Sequence, residues 1–139
     1  MIYKPQARKD AFLVLYQWDM KGEPIEALME EYISANRISM QDRRRYMRKL
    51  VRTFVENSVD IDKLIAEFSE KWDIDRVGFI ERNILRIALA ELLYISVKSP
   101  KVAILDYIKL AQKYAGKNCA RFVNGILGRV LREKLGIQD

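Results

Sequence analysis

A chain of 139 residues, half of them apolar, can bury the core of one domain spanning residues 1–139 and is too apolar for a disordered tail. Its formal charge of +6 favours an anionic partner, while the absence of histidine and the single cysteine, Cys119, argue against metal binding, cofactors, internal disulfides and histidine-based catalysis. No apolar run reaches the length of a membrane span, and Lys4, Arg8 and Lys9 are not followed by a signal-peptide core and cleavage site, so a cytoplasmic protein without a catalytic site is expected.

Apolar residues recur at helical spacing in nearly every segment, which predicts an all-α fold of six or seven helices. The first helix starts near Pro5, buries Ala11, Phe12, Leu15 and Trp18, and stops at Gly22 and Pro24. A short second helix carries Ile25, Leu28, Met29, Tyr32 and Ile33. Ser39 is a capping candidate for a long third helix, with Met47, Leu50, Val51, Phe54 and Val55 on one side. Ile61, Leu64, Ile65 and Phe68 can prolong that helix before the pattern breaks over 72–78. Residues 79–97 are apolar around much of the axis, as a central helix requires. Pro100 opens another amphipathic helix through Val102, Leu105, Ile108 and Leu110 toward Gly116, and Asn118 is placed to cap the last one. Such helices are expected to pack as two small bundles sharing the central helix.

The basic residues form three groups. The segment Lys4-Pro5-Gln6-Ala7-Arg8-Lys9 puts cations at the positive end of a helix dipole, a locally unfavourable placement that suits an arm contacting phosphates. Arg43, Arg44, Arg45, Arg48, Lys49 and Arg52 crowd one helix face without an aromatic platform, so they read as solvated surface or a secondary electrostatic footprint. The last two helices carry Lys101, Lys109, Lys113, Lys117, Arg121 and Arg129, and only here does an aromatic accompany the charge. Phe122 falls about 100° from the centre of the stripe formed by Val123, Ile126, Leu127, Val130 and Leu131. A ring on that margin, beside Arg121, Arg129 and Arg132, either closes the core edge against a neighbour or stacks on an unpaired base.

Three strings narrow the choice: Arg121-Phe122-Val123-Asn124-Gly125-Ile126-Leu127, Ile84-Leu85-Arg86-Ile87-Ala88 with Glu91-Leu92, and Ala7-Arg8 followed by Leu15-Tyr16 and Trp18. In order and spacing they resemble the NusB family of transcription antitermination factors across nearly the whole chain. The resemblance implies an all-helical protein that binds single-stranded boxA RNA together with NusE, a small-subunit ribosomal protein. It would thereby join the antitermination complex of RNA polymerase, notably in ribosomal RNA operons. Residue by residue, it implies RNA contacts at Lys4, Gln6, Arg8, Lys9 and Arg76, and at Lys113, Asn118, Arg121 and Phe122. Tyr16 and Glu81 match positions for docking NusE. The first basic segment is thinner in arginine than in some relatives, and the cluster from Arg43 to Arg52 is no part of the motif.

Other readings make different demands. A helix-turn-helix DNA binder would use the basic last helix in a major groove and prefer duplex DNA. An rRNA-modification accessory module would accompany a methyltransferase, whose glycine-rich strand-to-helix turn has no counterpart here. The acids Asp60, Asp62, Asp73 and Asp75 occur in pairs, but capping explains them more simply than catalysis. A face both aromatic and basic can also self-associate, so a homodimer of the free chain is a further expectation.

Overall fold

A computed structural model describes residues 3–69 and 77–138, and all its regular structure is helical. Seven helices follow in order: α1 (Lys4–Lys21), α2 (Ile25–Ala35), α3 (Gln41–Glu56), α4 (Ser58–Phe68), α5 (Phe79–Tyr94), α6 (Pro100–Ala115) and α7 (Lys117–Glu133). Local chemistry sets most of the ends. Pro5 sits in the first turn of α1, and Gly22 ends it in the left-handed region at φ 70°, donating its N–H to the Trp18 carbonyl at 2.8 Å. Ser99 caps α6, its hydroxyl accepting from the Val102 N–H at 3.3 Å ahead of Pro100. Gly116, at φ 91°, is the one-residue joint between α6 and α7.

The long third helix expected from periodicity is two helices. Asn57 interrupts it with φ −123°, its side-chain amide donating to the Thr53 carbonyl at 2.8 Å and its own N–H to the Phe54 carbonyl at 3.0 Å. An asparagine that satisfies the last turn locally competes with continuation of the helix. The bend keeps Ile61, Ile65 and Phe68 in the core on a new axis. Three caps also differ from expectation. Met40, not Ser39, precedes α3, and Asn118 lies inside α7, whose first turn has neither a side-chain cap nor an acid. Asp62 is an ion-pair partner of Arg86 rather than a cap.

α5 is the axis of the molecule. It packs on α1, α3, α4, α6 and α7, and every residue from Asn83 to Leu92 is buried. On one side α1 and α3 pack against it, with α2 laid on α1; on the other, α4, α6 and α7 do, and one continuous apolar cluster joins both groups. The apolar face of α6 is rotated from the expected one. Ala103, Ile104, Tyr107 and Ala111 are buried, whereas Val102 and Leu105 remain 55% and 56% exposed. Val55 and Phe79 are likewise exposed, because one flank of each apolar run faces no neighbouring helix.

Polar ties cross this core from α1. Asp10, fully buried, accepts from the Tyr32 hydroxyl at 2.7 Å and from the Arg43 guanidinium at 2.7 and 3.0 Å, joining α1, α2 and α3. Asp19 accepts from Arg82, Asn83 and Arg86, and Arg86 also makes a two-pronged pair with Asp62 at 2.9 Å, joining α1, α4 and α5. Among the described residues no buried side-chain nitrogen or oxygen lacks a partner. Complete pairing is the condition under which buried charge is tolerated.

Candidate nucleic-acid interface

The first turns of α7 present the candidate surface. Cys119, Ala120, Val123, Ile126 and Leu127 face the core, which leaves Lys117, Asn118 and Arg121 exposed and Phe122 half-buried on the boundary. Asn118 and Phe122, one turn apart, line an open cavity of about 300 Å³ with Val77, Gly78, Glu81 and Cys119. On the opposite flank of α7, Lys117, Arg121 and Asn124 face Gln112 of α6 across a second cleft of about 310 Å³. Phe122 is therefore packed against the core and open to a ligand at once, because α7 begins where α5 begins and their ends leave the cavity between them.

The first basic segment is not an arm. Its residues form the opening turns of α1, and Arg8 is 5% exposed. Its guanidinium makes a two-pronged pair with Glu91 at 2.7 and 2.8 Å and a third bond to Asp106 at 2.6 Å. Glu91, itself fully buried, also accepts from the Tyr107 and Tyr46 hydroxyls, so four helices meet at one carboxylate. Burial alone would discourage the Arg8 charge, but the bonds and charge of Glu91, with Asp106, outweigh it and hold the pKa above the ordinary arginine value. The expected phosphate contact at Arg8 is corrected here, since every prong of its fork is turned inward. Its neighbours differ. Gln6 is exposed and Lys9 partly so, and both line a shallow cleft against Asp106 and Lys109 of α6. Lys4 lies over the Tyr46 ring at 5.2 Å.

The arginine cluster of α3 is mostly occupied. Arg43 pairs with Asp10, Arg45 with Asp42, Arg48 with Glu30 and Arg52 with Glu26, while Arg44 donates to the Ile38 carbonyl. Three of these five contacts reach α1 or α2 and a fourth reaches the loop before α3, so the cluster fastens α3 to its surroundings. Arg129 pairs with Glu133 at 2.6 Å and stacks over Phe68 at 4.1 Å. By contrast, Lys9, Lys109, Lys113, Lys117 and Arg121 make no ion pair among the described residues. Lys113 lies 5.6 Å from the Tyr114 ring centre.

Tyr16 and Glu81 approach one end of the molecule from different helices. The Tyr16 ring lies tilted against Phe12 at 6.2 Å and meets Phe79 edge-on at 6.5 Å, and Phe79 opens α5 two residues before Glu81. Glu81 faces the same cavity as Asn118 and Phe122. Burial pushes the Cys119 thiol up to about 12, and the nearby Glu81 carboxylate adds to the push, so this cysteine stays protonated and unreactive at neutral pH. Arg76 lies outside the described residues, as do Asp73 and Asp75. Gln112 and Asn124 line the second cleft without any sequence signal pointing to them; only the packing of α6 on α7 brings two amides together.

The NusB family model matches residues 5–132. Among curated proteins, the transcription antitermination protein NusB of Aquifex aeolicus (strain VF5) is 39% identical over 132 residues, which is 95% of this chain and 89% of that protein. Among solved structures, a chain in a crystal structure of a plectonemic RNA supercoil superposes with a TM-score of 0.94 at 38% identity, covering 97% of this chain and 98% of that one. A crystal structure of antitermination factors NusB and NusE in complex with double-stranded RNA gives 0.86 at 40% identity, covering 91% and 95%. With the helical order, the core and nearly the full length in agreement, the chain belongs to the NusB family.

Proposed function

We propose that this protein is a transcription antitermination factor that binds single-stranded boxA RNA together with NusE and helps RNA polymerase read through terminators, notably in ribosomal RNA operons. The observation that carries the reading is Phe122, a ring half-buried at the margin of α7, beside exposed Asn118 and Arg121 and open to a cavity. Single-stranded RNA supplies splayed bases that stack on such a ring and phosphates that pair with free cations. Lys4, Gln6, Lys9, Lys113, Asn118, Arg121 and Phe122 form the RNA face in this reading, and Arg8 supports it from beneath. The NusB relative solved with NusE and double-stranded RNA supports NusE and RNA as the kinds of partner. Among the described residues no helix is long and apolar enough to cross a membrane, in keeping with work on nascent transcripts in the cytoplasm.

Tyr16 and Glu81 dock NusE in this reading. Glu81 shares the cavity of Asn118 and Phe122, so a partner held there stands directly beside the RNA-stacking ring and completes one continuous surface. The free chain, lacking that partner, exposes the same face to a second copy of itself, and homodimers would compete with RNA by mass action.

The test is a titration of a boxA-like single strand, a scrambled strand and a duplex, with and without NusE. The expected order is boxA above the other two, strengthened by NusE, and Phe122→Ala weakens the boxA complex by about 1–3 kcal/mol while the fold survives. Equal affinity for boxA and scrambled RNA with no gain from NusE would overturn the reading. Preference for the duplex would replace single-strand stacking by backbone recognition.

A further inference from the structure

The groove between α6 and α7 changes character along its length. Toward one end Ile104, Leu105, Ile108, Gly128 and Leu131 line it with a single cation, Lys101, and Asn124 stands where this end meets the other. Toward the other, Ile108 and Ala120 form an apolar floor under Gln112, Lys117, Arg121 and Asn124. No side chain of these four polar residues makes a hydrogen bond or ion pair among the described residues, and no carboxylate lines this end. The other shallow cleft, beneath Gln6 and Lys9, differs because Asp106 faces it.

We infer that the polar end of the α6/α7 groove is a base-reading nucleotide subsite, in which Gln112 and Asn124 pair with the edge of one RNA base while Lys117 and Arg121 hold its phosphate. The inference rests on the RNA reading above and extends it to residues on the far flank of α7 from Phe122. Two free cations with no acid among them select an anion. Two amides add what a plain anion site lacks, since each offers a donor and an acceptor together, the combination that pairs with a base edge in a two-pronged fashion. Ile108 and Ala120 give the flat face of the base an apolar surface. At about 310 Å³ the cleft falls at the small end of the range of ~300–1,000 Å³ for small-molecule sites, which suits one nucleotide rather than a duplex. Arg121 and Phe122 are consecutive on α7, so a strand crossing these first turns can stack one base on Phe122 and seat another nucleotide in the cleft.

The roles separate cleanly by substitution. Gln112 and Asn124 are exposed helical residues without partners, so the double variant Gln112→Ala/Asn124→Ala keeps the fold. Full-length protein with NusE would be titrated against a boxA-like RNA series in which each base is substituted in turn. The double variant is expected to flatten the preference at one position, by roughly 5- to 150-fold, the range of a two-pronged base contact, and to leave the other positions as they were. Lys117→Ala is expected to weaken all RNAs alike and to reduce the salt slope by about one. An unchanged preference profile in the double variant, or a uniform loss across the whole series, overturns the base-reading assignment alone. Failure of the wild-type chain to bind any RNA of the series overturns the RNA reading and the subsite with it.

Discussion

Arg8 shows how far a residue's chemistry depends on where its fork points. Its three short bonds to Glu91 and Asp106 make it the keystone between α1, α5 and α6. Truncation leaves a fully buried Glu91 carboxylate short of its cation, and breaking such a pair costs about 3–5 kcal/mol because the remaining charge is uncompensated. Arg8→Ala is therefore expected to shift the denaturant midpoint strongly toward lower concentration, while the folded fraction binds RNA with an unchanged salt slope. A reduced slope at preserved stability would return Arg8 to the phosphate-contacting surface. Phe122→Ala is expected to behave in the opposite way, with small loss of stability and clear loss of affinity, because a half-buried ring contributes less burial than a core one.

At the scale of elements, α3 carries the densest run of arginines, and the first turns of α7 carry two cations, Lys117 and Arg121, that make no ion pair among the described residues. The pairs Arg48–Glu30 and Arg52–Glu26 fasten α3 to α2 across exposed surface. Exposed pairs of this kind contribute about 0–1 kcal/mol each. The double variant Arg48→Ala/Arg52→Ala is accordingly expected to lower stability by less than about 2 kcal/mol and to leave RNA affinity unchanged within a factor of two or so, as titrations at two salt concentrations would show. A large affinity loss would make α3 a second RNA footprint. α7 owes its different role to composition and to its start. Gly116 offers no side chain to cap it and its first turn holds no acid, so Lys117 and Arg121 find no partner on their own helix.

At the scale of the whole molecule, the polar ties of α1 set the pH limits of stability. Burial alone would raise the Asp19 carboxyl, but hydrogen bonds from Arg82 and Asn83 and the charge of Arg86 outweigh it and hold the pKa below the ordinary 3.8. A depressed folded-state pKa gives stability that is complete above the unfolded value and is lost as pH falls through the folded one. Asp19→Asn is thus expected to lower stability at neutral pH and to flatten its decline below about pH 4, as denaturant melts across pH would show. The alkaline limb runs the other way. Burial, then bonds to Asp10 or Glu91, raises the Tyr32, Tyr46 and Tyr107 hydroxyls above the ordinary value of 10.0. Their contribution is complete below that value and is lost as pH rises beyond it, so these three tyrosinates are expected to form together with loss of helical signal. Their smooth titration near pH 10 in a folded chain would show that the hydroxyls are reachable by solvent.

Periodicity and punctuation determined the helical class, the limits of α1 at Pro5 and Gly22, the start of α6 at Pro100 and the central place of α5, because these depend on backbone preferences and on burying an apolar stripe. The marginal position of Phe122 was legible for the same reason, as an angle on one helix. Partnership was not legible. Arg8 and Lys9 stand side by side in sequence, yet one is locked to residues 83 and 98 positions away and the other faces a solvent-open cleft. The exposure of Val102 and Leu105 depended on which neighbours α6 met, and the meeting of Gln112 with Asn124 on how α7 lay against it. Local sequence fixes which way a side chain leaves its helix, but only tertiary packing supplies the carboxylate, ring or open water that it finds there.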